Sequence, residues 1–281
     1  MRYDFHSHTH YSDGVLSPAE LAMRAHDKGV GLLAVSDHDS ISGIAEAKEL
    51  VRSKGLSLRV IEAIEISAQS DFGEIHIVGL NIDASNTELV TLTKQQQQKR
   101  WSRVEAMELK FKKIKIEGVL ADLKAKCKQV VTRSHVARSL VSLGHAKDNN
   151  HAFKKFIGKK GLIKVASNWV NMESAIGTIH AAGGLAILAH PTRYPMSNRR
   201  IGYLIEEFKI AGGDAIEVSY PSVSPDKMGW LEVQREKNDL LASGGSDFHY
   251  PDLKWSDLGY FPKISDDTPH VLDLIKDEAN D

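Results

Sequence analysis

Short apolar runs of strand length recur along the chain, and most of them precede a stretch that favours a helix. Residues 1–5 predict a first strand, and Ser17-Pro18-Ala19-Glu20 predicts a helix that begins with a capping box. A second strand is predicted at 31–36, and a second helix at 42–54 is expected to end at Gly55. The chain therefore begins with two successive strand–helix units.

The same alternation continues over most of the remaining sequence. The predicted strands lie near residues 1–5, 31–36, 57–66, 74–80, 184–189, 214–219 and 239–245. Helices are predicted near 172–182, 198–210 and 224–237. Alternating strands and helices are typical of a parallel sheet, and seven strands favour a closed or nearly closed barrel. The predicted fold class is therefore α/β.

One long segment interrupts this alternation. A long helix is predicted from about Lys94, and shorter helices are predicted near 118–126, 134–143 and 149–157. We therefore expect a mainly helical insertion at 93–171. The barrel is then formed by two segments, 1–92 and 172–281. Four consecutive glutamines at 95–98 fit the solvated face of the first insertion helix.

Composition and charge narrow the class of protein. The chain has 281 residues and a net charge of -1, so no overall field attracts it to nucleic acid or to a membrane. Its single cysteine, Cys127, excludes an internal disulfide and fits a reducing compartment. No apolar run approaches the roughly 18 residues of a membrane helix, and no signal peptide is recognisable. We expect a cytoplasmic protein with no membrane association and no obligate protein partner.

Histidine and carboxylate residues follow the predicted strands or lie late in them. In chain order they are His6, His8, Asp13, His38, Glu65, His76, His190, Glu217, Asp247 and His249. Imidazole and carboxylate together are ligands for Zn, Mn and Fe. Because the carboxyl ends of barrel strands meet at one rim, these side chains are expected to converge there. The sequence therefore predicts a metal site at that rim.

These clusters resemble the motifs of the PHP (polymerase and histidinol phosphatase) family. The matching segments are His6-Ser7-His8, Ser12-Asp13-Gly14, Ser36-Asp37-His38-Asp39, Glu65-Ile66-Ser67, His76, His190-Pro191 and Ser246-Asp247-Phe248-His249. The resemblance implies a distorted (β/α)7 barrel that binds three divalent metal ions, which would be Mn, Fe or Zn.

The resemblance also implies which residues bind which ion. One ion would be held by His6, His8, Glu65 and Asp247. Glu65 would bridge to a second ion, which His76 and His190 complete, and Asp13, His38 and His249 would hold the third. Glu217 matches no ligand position and is a candidate supporting residue. His10 is either a supporting residue or general acid, or a solvent-exposed residue.

Within the family the chain looks most like bacterial enzymes that dephosphorylate 3′,5′-nucleoside bisphosphates. Some of these enzymes also trim RNA from its 5′ end. The resemblance lies in residues 64–67, 75–80, 182–184 and 189–194, and in the size and place of the insertion. The chain departs from these relatives at Ala63 and at Thr132-Arg133-Ser134-His135, where they tend to have glycine and Gly-Arg-Pro-His. The implied substrate is a nucleotide or a short 5′-phosphorylated RNA.

The residues support phosphate ester hydrolysis. Clustered metal ions lower the pKa of a shared water and neutralise the phosphoryl oxygens. No Walker loop or nucleophile elbow is present, which disfavours kinase and acyl-transfer chemistry. Arginine suits phosphate binding by its bidentate geometry. We expect Arg133, His135 and Arg193 to hold the 5′-phosphate, with Ser134 beside them. Arg138 is either a further substrate contact or a surface charge.

Three other interpretations of the sequence remain open. The first is a histidinol-phosphate phosphatase, and the second is a PHP module that binds metal without catalysis. An amidohydrolase barrel fits less well, because the ligand pattern continues through Ser-Asp-His-Asp and a final Asp-x-His instead of a bridging lysine.

Two features of the insertion each have two interpretations. The lysines at 154–160 form either a solvated helix face or an electrostatic path for RNA. Trp169 either packs between the insertion and the barrel or stacks on a base.

Overall fold

The computed structural model describes residues 1–127, 129–252 and 256–277. In this part of the chain one mixed sheet contains eight strands. The strands are β1 (Arg2–Asp4), β2 (Val30–Val35), β3 (Arg59–Ser70), β4 (Gly73–Leu80), β5 (Val170–Asn171), β6 (Leu185–Leu188), β7 (Ala215–Ser219) and β8 (Leu241–Gly244). The two-residue β5 pairs with β3 at the side of the main path.

The other seven strands form the predicted barrel. Their order is β1-β2-β3-β4-β6-β7-β8, and the chain beyond β8 returns to the chain beyond β1. The backbone N–H of Asp247 donates to His6 O at 2.8 Å, and the N–H of His8 donates to Phe248 O at 2.9 Å. These bonds close the barrel at the rim where the first and last polar clusters lie. The predicted seven-stranded α/β barrel is thus confirmed.

The prediction of a wholly parallel sheet is wrong for one strand. β4 runs antiparallel to both of its neighbours, β3 and β6. Only Asp71 and Phe72 separate β3 from β4, and two residues can form a hairpin but not a crossover helix. The short gap between the two predicted strands, at 67–73, was already too small for a parallel connection.

This reversal changes how two site residues reach the rim. His76 was predicted late in its strand, but it is the fourth residue of β4. It lies at the rim because β4 enters the barrel there. Glu65 was also predicted late in its strand, yet β3 continues for five residues beyond it to Ser70. Glu65 therefore points into the mouth of the barrel from the middle of a long strand.

Six helices surround the barrel in the described part of the chain. They are α1 (Pro18–Asp27), α2 (Ile44–Lys54), α7 (Met172–Ala181), α8 (Asn198–Ile210), α9 (Pro225–Lys237) and α10 (Val271–Asp277). The Ser17 side chain accepts from the Glu20 N–H, which completes the predicted capping box of α1. Gly55 ends α2 in the left-handed conformation. α10 was not predicted.

Helices also form the segment between β4 and β5. They are α3 (Thr87–Lys113), α4 (Val119–Lys126), α5 (Arg133–Ser142) and α6 (Asn149–Ala152), followed by a π-helical turn at Phe153–Ile157. Buried side chains such as Phe111, Leu123 and Phe156 form a separate apolar cluster there. α3 begins before the predicted boundary at 93, and its Leu89 and Leu92 pack with the barrel helices. The division at 93 and 171 stays a prediction.

The barrel interior is filled by apolar side chains from all of its sides. Phe5, Ile61, Val78, Ile187 and Ala215 belong to one buried cluster. Ala63, which stands where relatives tend to have glycine, is fully buried in the same cluster and so is part of the barrel core. No helix of the described residues is long and apolar enough to cross a membrane.

Candidate metal centre and adjoining cavity

The first two histidines are fixed by close packing between the ends of β1 and β8. His6 and His8 are both fully buried. A side chain at Gly245 would place its Cβ 2.4 Å from the Cβ of His6, so only glycine allows this approach. A Cβ at Gly14 would similarly lie 2.4 Å from the backbone oxygen of His8. The two glycines explain why the histidine motif is accompanied by Ser-Asp-Gly and Gly-Gly-Ser-Asp.

Glu65 lies at the centre of the polar cluster. Its Oε1 is 2.9 Å from His76 Nδ1, 3.1 Å from His190 Nε2 and 3.3 Å from His6 Nε2. Its Oε2 is 2.6 Å from His38 Nδ1 and 3.4 Å from His8 Nε2. One fully buried carboxylate thus faces five imidazoles. This position suits a ligand shared between two ions.

All nine predicted ligands belong to groups whose ligand atoms lie within 4.8 Å of one another. The four groups are His8, Asp13, His38 and His249; His6, His8 and Asp247; His6, Glu65 and His190; and His38, Glu65 and His76. Asp13 Oδ1 lies 3.2 Å from His249 Nε2 and 3.6 Å from His38 Nε2. The residues that the sequence placed at one rim therefore form one continuous cluster.

Several buried polar atoms of the cluster make no hydrogen bonds with one another and could instead bind an ion. Asp13 Oδ1, His38 Nδ1 and Glu65 Oε2 are buried and have no hydrogen-bond partner in the described structure. His38 Nδ1 and Glu65 Oε2 approach to 2.6 Å without hydrogen-bond geometry. Unpaired buried polar atoms are costly, whereas a cation between them would satisfy both. A donor set of imidazoles and carboxylates fits divalent Mn, Fe or Zn.

The carboxylates of the cluster are held in their ionised form. Burial alone would raise the pKa of Glu65, but the imidazoles of His38, His76 and His6 outweigh it and hold the pKa well below its usual range. The pKa of Asp13 is likewise held low by His249 and His38 against the effect of burial. Burial lowers the pKa of His8 to about 3, so this imidazole stays neutral. Ionised carboxylates and a neutral His8 suit metal binding, whereas Asp13 and Asp247 outweigh burial and raise the pKa of His249 to about 9, so binding an ion there would release a proton.

Glu217, which matched no ligand position and was a candidate supporting residue, contacts two of the predicted ligands. Its Oε1 lies 2.7 Å from His6 Nδ1, and its Oε2 accepts from the backbone N–H of His190 at 2.7 Å. Its carboxylate is almost fully buried. A carboxylate on one ring nitrogen fixes the tautomer and leaves the other nitrogen to bind metal. His10, by contrast, is exposed and lines a different cavity with Tyr11 and Cys127.

A cavity of about 190 Å³ lies between the rim and the helical segment. Its barrel side includes the four predicted ligands Asp13, His38, His76 and His249. Its helical side includes Arg100, Arg103, Arg133, Ser134 and Trp169. The helices therefore form a wall that faces the predicted metal ligands across this partly open cavity.

The helical wall of the cavity carries an excess of positive charge. The guanidinium of Arg103 lies over the Trp169 ring, 5.6 Å from its centroid, and its Nη1 is 3.5 Å from Glu74. Burial and the charges of Arg133 and Arg100 lower the pKa of Arg103. Its Nε is buried and has no hydrogen-bond partner among the described residues. A bound anion would relieve this repulsion and satisfy the unpaired donor.

The structure separates the five predicted substrate-binding residues. Arg133 and Ser134 line the cavity. His135 caps α5, because its Nδ1 accepts from the Thr132 N–H at 3.1 Å, and it faces another cavity. Arg138 donates to the backbone oxygen of Asp13 at 3.2 Å.

Arg193 is paired with the predicted ligand Asp247 and donates to Pro221 O. Two cavity residues, Arg100 and Arg103, were missed from the sequence. Their spacing of three places them on one face of α3, but no local pattern shows that this face meets the rim.

The sequence matches known proteins along most of its length. Residues 4–182 match the PHP domain. The chain is 40% identical over 258 residues to a 5′-3′ exoribonuclease of Haemophilus influenzae, which covers 92% of this chain and 93% of that protein. It is 36% identical over 261 residues to a 3′,5′-nucleoside bisphosphate phosphatase of Chromobacterium violaceum, covering 92% and 90%.

Solved structures show the same architecture. A Chromobacterium violaceum protein described as an amidohydrolase, with bound sulfate and no metal, superposes with a TM-score of 0.90 at 33% identity. The match covers 99% of this chain and 96% of that one. A Bifidobacterium adolescentis protein described as a metal-dependent phosphoesterase superposes with a TM-score of 0.82 at 25% identity, covering 98% and 94%.

Proposed function

The chain belongs to the PHP family, and we propose that within this family it removes the 3′-phosphate from nucleotides that also carry a 5′-phosphate. Its relatives and structural neighbours are metal-dependent phosphoesterases, and it is an enzyme of this class. The proposed substrates are 3′,5′-nucleoside bisphosphates. The first nucleotide of a 5′-phosphorylated RNA presents the same groups, so trimming of RNA from its 5′ end belongs to the same proposal.

One observation carries this proposal: the cavity has metal ligands on one wall and arginines on the other. A phosphate ester to be hydrolysed belongs at the ligands Asp13, His38, His76 and His249. A second phosphate on the same molecule would lie against Arg103 and Arg133. A substrate with two phosphates, one on each side of a ribose, matches this division of charge.

The proposed metal centre holds three ions in the arrangement that the resemblance to the PHP family implies. Short distances among His6, His8, Glu65 and Asp247 support the first ion. The contacts of Glu65 with His76 and His190 support the second, and those of Asp13 with His38 and His249 support the third. When bound, such ions activate water and neutralise charge on the phosphoryl oxygens.

The contacts proposed for the 5′-phosphate differ from those expected from the sequence. Arg133 is retained, and Arg103 takes the place of His135 and Arg193. His135 is committed to Thr132, and Arg193 is committed to Asp247. Arg103 has an unpaired Nε that is already buried beside the cavity, so binding an anion there removes little further hydration.

The same charge pattern disfavours histidinol phosphate as substrate. Histidinol phosphate carries an amine that is cationic at neutral pH, and the wall formed by Arg103 and Arg133 would repel it. A module that binds metal without catalysis is disfavoured because all nine predicted ligands are present and belong to groups whose ligand atoms lie within 4.8 Å of one another. Both alternatives are outcomes of the experiment that follows.

The experiment compares three substrates with Mn²⁺ present: adenosine 3′,5′-bisphosphate, a 5′-phosphorylated RNA oligomer and histidinol phosphate. We expect release of the 3′-phosphate from the bisphosphate, and its loss in the His38→Ala variant. Stepwise release of mononucleotides from the oligomer would add the exonuclease activity. Turnover of histidinol phosphate alone would replace the proposal, and no turnover by metal-loaded protein would favour the non-catalytic module.

A further inference from the structure

A buried ion pair joins the first helix of the helical segment to the metal centre. Arg100 on α3 is 7% exposed, and Asp39 in the loop after β2 is 1% exposed. Arg100 Nε donates to Asp39 Oδ2 at 2.7 Å, and its Nη2 lies 2.6 Å from the same oxygen. Both side chains are shielded from solvent, so the role of the pair follows from the groups that it contacts.

Both ends of this ion pair lie next to predicted metal ligands. Asp39 directly follows His38, and its backbone N–H donates to the backbone oxygen of Glu65 at 2.8 Å. Its Oδ1 accepts from the backbone N–H of Ser67 at 3.0 Å. Ser67 lies two residues after Glu65 in β3 and therefore on the same side of the strand. Asp39 thus fixes the chain at both His38 and Glu65.

Arg100 completes the link from the side of the helix. Its Nη2 donates to Ser67 Oγ at 2.7 Å, and its Nη1 donates to Val131 O at 3.3 Å. One guanidinium therefore holds the loop of His38, the strand of Glu65 and the segment before α5 in a single arrangement. Gln96, one turn earlier on α3, is fully buried, so the predicted solvated face at 95–98 is wrong at this position. It donates to Ser67 O at 2.6 Å and reinforces the same contact.

The backbone of Asp39 also has an unusual conformation. Asp39 has a φ of 44°, in the left-handed region that side chains other than glycine rarely adopt. This conformation occurs directly after His38, whose Nδ1 lies 2.6 Å from Glu65 Oε2. Strained backbone persists only where the surroundings determine it, and Arg100 supplies the charge that holds the Asp39 carboxylate in place.

We infer that Arg100 is a positioning residue for the metal centre: through Asp39 and Ser67 it sets the geometry between the ligands His38 and Glu65. The guanidinium is nearly fully buried and directs four of its five N–H donors to Asp39, Ser67 and Val131, so we assign its function to these contacts. The inference rests on the proposed metal centre and is independent of the proposed substrate. It also gives the helical segment a second role beyond forming the wall of the cavity.

The test measures binding of Mn²⁺ to protein freed of metal with a chelator, using the electron paramagnetic resonance signal of unbound Mn²⁺. Arg100→Lys keeps the charge but loses the fork that spans Asp39 and Ser67. We expect the dissociation constant of the most weakly held ion to rise about 10- to 100-fold, as for other residues that orient metal ligands. An unchanged constant with a lower melting temperature would show a purely structural pair and overturn the inference.

Two further variants keep the test decisive. Ser67→Ala removes one hydrogen bond without leaving a buried charge, and it should weaken the same ion by about 3- to 10-fold. If Arg100→Lys fails to fold, an unchanged Mn²⁺ constant in Ser67→Ala overturns the inference.

Arg235→Lys is the matched control, because Arg235 is also mostly buried and pairs with Glu232 at 2.8 Å on α9. An equal loss of metal in this variant would reveal general destabilisation and also overturn the inference. Failure of the unaltered protein to bind Mn²⁺ would instead overturn the proposed metal centre.

Discussion

Glu217 Oε1 lies 2.7 Å from His6 Nδ1, while the opposite nitrogen of the His6 ring faces Glu65, His8 and Asp247. The carboxylate therefore determines which nitrogen of His6 is left to bind metal. Because His6 is fully buried, no water replaces this partner when it is lost. Glu217 is thus a part of the centre that a pattern of ligands alone does not reveal.

Replacing Glu217 by glutamine tests this orientation. The amide cannot supply the negative charge that stabilises the Nδ1–H of His6, so we expect Mn²⁺ affinity to fall about 10- to 100-fold. The measurement is metal content after dialysis against buffered Mn²⁺. Glu49→Gln is the control, since Glu49 pairs with Arg52 on the exposed face of α2. Equal metal content in Glu217→Gln and the unaltered protein would contradict the role given to Glu217.

Removal of metal should lower stability as well as activity. The ions bind the folded chain but not an organised site in the unfolded chain, so free metal at 100 times its dissociation constant adds about 2.7 kcal/mol. For a chain of this length, we expect chelation to lower the melting temperature by about 5–10 °C. Calorimetry with and without chelator measures the change. The same shift in His38→Ala would show that it does not arise at this centre.

Gly14→Ala should disturb the metal centre while leaving the barrel folded. The added Cβ would lie 2.4 Å from His8 O and 2.9 Å from the Thr9 nitrogen, so the loop between His8 and Asp13 must move. We expect metal content to fall with little change in circular dichroism. Gly177→Ala is the control, because Gly177 lies within α7 with no atom within 4 Å of the added Cβ. That change should stabilise the helix by about 0.5–1 kcal/mol.

Much of the fold follows from patterns that are local in sequence. The helix predicted at 198–210 is observed at Asn198–Ile210, where Ser197 caps its first turn. The capping box of Ser17 and the glycine after α2 mark helix ends in the same way. The convergence of most of the predicted ligands could also be predicted, because the carboxyl ends of parallel strands must meet at one rim; His76 reaches that rim from the antiparallel β4 instead. These features depend on the residues immediately around each position.

Contacts between distant segments could not be predicted in this way. Asp39 and Arg100 are 61 residues apart, and nothing near either residue indicates its partner. Arg193 was expected at the substrate because it follows His190 by three residues, yet a turn of 3-10 helix after His190 places it on Asp247. The reversal of β4 is different, since its short connection to β3 was visible in the sequence.

The partly buried His135 makes stability depend on pH in a defined direction. Burial, together with the charge of Arg138, lowers its pKa to about 4 from an ordinary value of 6.5. Below pH 6.5 His135 is protonated in the unfolded chain but stays neutral in the folded chain. The free energy of unfolding therefore decreases as the pH falls toward 4. Between pH 7 and pH 5 this single group should cost about 2 kcal/mol.

The His135→Gln variant isolates that contribution. At pH 7 it should be about as stable as the unaltered protein, because the Oε1 of a glutamine at this third position of α5 can accept from the Thr132 N–H as His135 Nδ1 does. At pH 5 it should be more stable than the unaltered protein by about 2 kcal/mol, because glutamine does not titrate. Urea unfolding with chelator present at both pH values gives the two free energies. A difference that stays constant would contradict the lowered pKa.

The roles of Arg103 and Arg133 can be separated from the metal chemistry by comparing two substrates. Adenosine 3′,5′-bisphosphate carries the phosphate that these arginines are proposed to hold, whereas adenosine 3′-monophosphate lacks it. Loss of a charged hydrogen bond costs about 1.5–3 kcal/mol, so Arg103→Gln and Arg133→Gln should each lower kcat/KM for the bisphosphate by about 10- to 100-fold.

Neither substitution should change kcat/KM for the monophosphate by a comparable factor, because its only phosphate lies at the metal ligands. Arg193→Gln should instead lower kcat/KM equally for both substrates, since Arg193 contacts the predicted ligand Asp247. The exposed Lys112 on α3 provides the control, and Lys112→Gln should leave both substrates unaffected. If Arg103→Gln and Arg133→Gln lower kcat/KM equally for the two substrates, these arginines do not bind the 5′-phosphate. Other cations at the rim would then be the candidates for that contact.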